Sequence, residues 1–175
     1  QPTSSVIFTN CKVPVENCLG EEGDGFKFAM MGLDGGRLNI SACSIGGARA
    51  AMEHARGHIK VRKQFGKTLD QFQALQFKYA DMVTELEAAR LLLHKAAWKL
   101  DNKTPDATQF CAMAKRFGTD IGFQVCNEAL QLHGGYGYIR EYPIERLLRD
   151  LRVHQILEGT NEIMRLIISR AALKD

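Results

Sequence analysis

The chain has 175 residues, 45% of them hydrophobic and 25% charged, and a formal net charge of +3. That length holds one domain with a substantial core, or one domain and the remnant of another. The small, scattered positive charge argues against a nucleic-acid partner, and the absence of an 18-residue apolar run argues against an integral membrane protein.

Residues 1–24 differ from the rest. Ser5-Val6-Ile7-Phe8 leads into Cys11-Lys12-Val13-Pro14, a β-type run and a Pro-containing turn, followed by a Gly- and acid-rich connector over residues 20–25. One or two strands do not make a stable sheet alone, so this stretch predicts the end of a β-domain lying mostly elsewhere. Because the chain opens at Gln1 inside that run, it reads as a piece of a longer protein.

From residue 25 onward the helical period dominates. A short helix is expected over residues 26–33, ending at Gly35-Gly36, and a second over 39–63 with Ile40, Cys43, Gly47, Ala51, Ala55 and Ile59 on its seam. Residues 72–100 alternate apolar steps of three and four without a break, from Phe72 through Met82 and Leu86 to Leu100. That is one helix of roughly 45 Å at 1.5 Å per residue. A third helix is expected over 106–132, stopped by Gly134-Gly135, and shorter ones over 144–151 and 160–173. Short links between long helices predict an all-α, antiparallel four-helix bundle over residues 25–175, although such seams also suit an extended coiled coil. Five cysteines without metal-ligand spacing read as reduced and mostly buried thiols, with Cys43, Cys111 and Cys126 inside the apolar patterns.

Four stretches exceed what a plain bundle needs. Glu158 precedes Gly159 and the capping residue Thr160, so its carboxylate either is aimed into a cleft or faces solvent in a turn. Gln131-Leu132-His133-Gly134-Gly135 lets a ligand approach the main chain, or simply stops a helix. Arg62-Lys63-Gln64-Phe65-Gly66-Lys67 places cations at a helix end, where they also complement its dipole. Asp34 and Arg37 flank an expected backbone break, either as a site or as a local ion pair.

R-K-Q-F-G-K, Q-L-H-G-G-Y-G-Y and I-L-E-G-T-N-E-I-M-R, in that order, resemble the C-terminal domain of the acyl-CoA dehydrogenase family, from about residue 3 to the end. The resemblance implies a four-helix bundle, FAD as cofactor, an acyl-CoA substrate, a homotetramer and an electron-transfer flavoprotein as electron acceptor. It implies Glu158 as catalytic base. Some relatives carry the base instead at the position of Gly36, which here has no side chain. It further implies that Arg62, Gln73, Gln131, Gly134 and Gly135 contact FAD held mainly by a neighbouring subunit. Thr160 and Glu162 would approach FAD from the subunit that supplies the base. Asp34, Arg37, Gly159 and Arg170 would lie on the substrate side. Leu157 stands where many members have an aromatic residue, and Phe72 where His is frequent. The ending most resembles members that oxidise isobutyryl-CoA in valine breakdown; another short straight or branched acyl-CoA, an oxidase, and a helical oligomerisation module are the competing expectations. Mitochondrial matrix is expected for a eukaryotic protein of this type and cytoplasm for a bacterial one.

Overall fold

In a computed structural model, which describes residues 4–174, five α-helices follow a largely irregular N-terminal stretch. They are α1 (Gly25–Val61), α2 (Gln73–Asp101), α3 (Ala107–His133), α4 (Ile144–His154) and α5 (Asn161–Ala172). Residues 1–3 and 175, which belong to the expected 1–24 and 25–175 units, lie outside the described residues.

The ion pairs fix the direction of the helices. Lys78 pairs with Glu128 and Lys99 with Asp106, so α2 and α3 run antiparallel. Asp34 meets Thr108 and Ser41 meets Ala114, so α1 runs parallel to α3. The result is an up-down-up trio completed by α4 and α5, and α3 packs against all four other helices. Its central place explains why it is buried almost all round, with Cys111, Ala114, Ile121, Val125, Cys126 and Ala129 inside. The expected seam of α2 holds, with Met82, Leu86, Ala89 and Ala96 buried at steps of four, three and seven.

Helix α1 departs from expectation in three ways. It is continuous across Gly35-Gly36, so there is no break, and Asp34 and Arg37 sit one turn apart on a single helix. A glycine costs about 1 kcal/mol in a helix interior, which the packing of the flanking turns outweighs. Its buried face begins on Arg37, Ser41, Ser44 and Ala48, a register that leaves Cys43 exposed. The reason lies opposite: Gly118 and Gly122 of α3 let Ser41 and Ser44 come so close that a Cβ on either glycine would overlap a serine hydroxyl. Small residues therefore form a close helix contact, a face that hydrophobic periodicity alone passes over.

Two further expectations change. The N-terminal β-type run carries no strand; Val6, Ile7 and Phe8 are exposed, as an unpaired strand would leave them. The cationic stretch after α1 is not a plain helix end but a tight hairpin, β1 (Lys63–Gln64) and β2 (Lys67–Thr68). Phe65 and Gly66 occupy its turn with φ of 49° and 81°, the left-handed pair that a two-residue hairpin demands.

Candidate active site

Glu158 lies in the short loop between α4 and α5 and adopts a left-handed backbone, φ 57°, followed by Gly159 at φ 86°. Its half-buried carboxylate rests against Gly36 of α1, where a built Cβ would overlap it. The expected relationship between these two positions is thus a direct spatial one. Thr160 caps α5 through Ile163 N–H at 3.4 Å. Glu162, in the first turn, has its carboxyl held below the usual range by its own backbone N–H and then by Thr160.

Around Glu158 the bundle collects charge. Arg37 is buried and donates to Asp34 at 2.7 Å, and Thr108 donates to the other oxygen of Asp34 at 2.6 Å. The Arg37 Nε is buried with no hydrogen-bond partner among the described residues, an orphaned cationic donor facing the same region of the bundle. Lys115 of α3 is fully buried, and its Nζ donates to Gly159 O and to Asn161 Oδ1, each at 2.8 Å. Burial pulls its ammonium down to about 8, opposed by Asp120, Glu162 and Glu158. Asn161 in turn donates to Asp120 and Thr119 at 2.7 and 3.0 Å.

Lys115, Asn161 and Thr108 were not singled out by the sequence. The signal for Lys115 was there: a cation four residues after Cys111 and three before Gly118, in register with the apolar face of the helix. Arg170, by contrast, is exposed in the last turn of α5, at the far end from Glu158.

A second group of expected residues meets elsewhere. Arg62, Gln131, Gly134 and Gly135 line an open groove of about 590 Å³ with His58, Gln64, Leu69, Leu75, His133 and Tyr136. Gln73 is exposed at the start of α2, outside that lining. Gly134 ends α3 with φ 59°, and neither it nor Gly135 has an atom within 4 Å of where a Cβ would stand. The floor is therefore bare main chain beside a guanidinium, a cradle suited to a flat anionic ligand. Arg62 packs on the Tyr136 ring at 5.4 Å, and His58 stacks on His133 at 4.6 Å between ring centres. Both imidazoles are pushed below their ordinary range, chiefly by burial.

Residues 23–173 match the family model "Acyl-CoA dehydrogenase, C-terminal domain". The chain belongs to the acyl-CoA dehydrogenase family. Over all 175 residues it is 57% identical to the mitochondrial isobutyryl-CoA dehydrogenase of Dictyostelium discoideum, of which it covers 42%. The butyryl-CoA dehydrogenase structure of Megasphaera elsdenii superposes with a TM-score of 0.91 at 49% identity, over 96% of this chain and 44% of that one. A chain in the structure of the electron transferring flavoprotein of Acidaminococcus fermentans does so at 0.93 and 48%, over 97% and 44%. The chain thus spans less than half the length of these relatives. Their helical domain is the architecture described above, and no helix among its described residues is long and apolar enough to cross a membrane.

Proposed function

We propose that the chain is the C-terminal part of a flavin-dependent dehydrogenase that oxidises a short branched acyl-CoA, isobutyryl-CoA to methacrylyl-CoA, in valine breakdown. On this reading residues 1–24 end a middle β-domain and residues 25–175 form the helical domain. Glu158 is the base that takes the α-proton. The observation that carries this is the carboxylate of Glu158 held against Gly36, on a strained backbone and beside buried cations. Removing a proton next to a thioester needs a carboxylate fixed at the reacting carbon, and donors for the charge that develops. Bound FAD supplies the acceptor for the β-hydride.

The groove at Gly134-Gly135 fits the phosphate-bearing portion of FAD, with Arg62 as its cation and Gln131 at its rim. Gly36 and Arg62, the residue that follows the end of α1, are separated along that helix by roughly 39 Å at 1.5 Å per residue. That span favours two sets of cofactor residues, Arg62, Gln73, Gln131, Gly134 and Gly135 for a neighbour's FAD and Thr160 with Glu162 for the FAD beside Glu158. Such sharing needs at least a second subunit, and a homotetramer is the assembly we propose. Asp34, Arg37 and Gly159 line the substrate side, and the exposed position of Arg170 makes it the weakest member of that group. The isobutyryl substrate and a mitochondrial location draw support from the Dictyostelium relative, and an electron-transfer flavoprotein partner from the Acidaminococcus structure. A bacterial source would place the enzyme in the cytoplasm.

The test is anaerobic bleaching of the flavin in the complete protein, titrating isobutyryl-CoA beside butyryl-, 2-methylbutyryl- and isovaleryl-CoA. Fast bleaching selective for isobutyryl-CoA is expected in wild type and is lost in Glu158→Gln. Preference for another chain discards the substrate; bound FAD that no acyl-CoA bleaches discards the dehydrogenase reading.

A further inference from the structure

We infer that Lys115 is a positioning residue for Glu158, its buried ammonium clamping the loop that bears the carboxylate. The inference rests on Glu158 being the base.

The loop needs such a clamp. Glu158 and Gly159 are consecutive left-handed residues, and for a side chain as large as glutamate that backbone is costly unless its surroundings impose it. The surroundings reach it from α3. Lys115 Nζ holds Gly159 O, the carbonyl of the second left-handed residue, at 2.8 Å. The same nitrogen holds Asn161 Oδ1, and the Asn161 backbone N–H donates to Gln155 O at 3.0 Å, which closes the loop on itself. One cation therefore ties the residue after Glu158 to the first residue of α5.

The charge also matters where it stands. The charged groups acting on Lys115 are Arg37 from α1, Asp120 from its own helix, Glu158 from the loop, Glu162 from α5 and His154 from α4. Arg37 repels it, and the three carboxylates stabilise it. A lysine that merely filled space would leave that balance untouched.

The experiment compares Lys115→Met and Lys115→Gln with wild type in the complete flavoenzyme, each assayed well below its own melting temperature. Flavin bleaching by acyl-CoA is expected to slow about tenfold or more in Lys115→Met at saturating substrate, with half-saturation little changed. Gln keeps a donor for Gly159 O and is expected to recover part of the rate that Met loses. Where Met does not fold, Gln carries the test. A bleaching rate at saturating substrate equal to wild type in the variant that folds overturns the inference, even if stability falls. Glu158→Gln separates the two readings: if it still bleaches, the base assignment and this inference fall together. If it is dead while the Lys115 variants keep the wild-type rate, only this inference falls.

Discussion

The carboxylate of Glu158 and the α-carbon of Gly36 touch, and the space that a side chain would take at Gly36 is the space the carboxylate occupies. Gly36→Ala therefore separates stability from activity. Alanine is favoured over glycine in a helix by about 1 kcal/mol, so the melting temperature should hold or change little. The methyl group must displace the carboxylate, and a misplaced base loses about a hundredfold in kcat/KM. Parallel thermal melts and flavin-bleaching rates check it; a variant with full activity contradicts the contact.

The close approach of α1 and α3 gives a graded pair. At Gly122 an added Cβ meets the Ser44 backbone as well as its hydroxyl, whereas at Gly118 it meets only side chains, Ser41 and Ile45. Gly122→Ala should cost about 1–3 kcal/mol by forcing the helices apart. Gly118→Ala should cost less, since Ser41 can rotate and give up its hydrogen bond to Ala114 O, worth about 1 kcal/mol. Denaturant melts that reverse this order would show that the helices yield more easily than the serines.

The stacked imidazoles of His58 and His133 set an acid limit. Both are lowered by burial, and His58 next by His133, so as pH falls the unfolded chain takes up protons first. Stability from this pair is present above about pH 6.5 and is lost as pH falls through the depressed folded values. Unfolding free energy should decline between about pH 7 and 5, and His58→Gln should flatten that decline. An identical slope in the variant refutes the assignment.

Thr160 is the N-cap of α5. Thr160→Ala should cost about 1 kcal/mol, and Thr160→Ser should restore most of it. Thermal melts of the two variants side by side measure the difference.

Strict periodicity made α2 readable from the sequence to within a residue or two, because its buried positions are apolar and regularly spaced. The Thr160 cap and the Gly134 stop were readable for the same kind of reason, each being local chemistry at a helix end. The continuity of α1 was not, since Gly35-Gly36 looks like a break until Glu158 is found beside it. Nor was the part played by Lys115, whose partners Gly159 and Asn161 lie 44 and 46 residues further on. Local pattern reports what a residue is surrounded by along its own helix, and says little about what crosses from another.

The same long separations order the assembly of the molecule. The α2–α3 hairpin is joined by only residues 102–106, so its ends meet at small entropic cost. The Asp34–Thr108 and Ser41–Ala114 contacts span 74 and 73 residues, and Lys115 must then capture a loop that comes later still. Contacts of such range form late when a chain folds. The hairpin is thus a platform that can stand before the rest arrives, and the Glu158 apparatus, drawn from three distant stretches, is the part completed last.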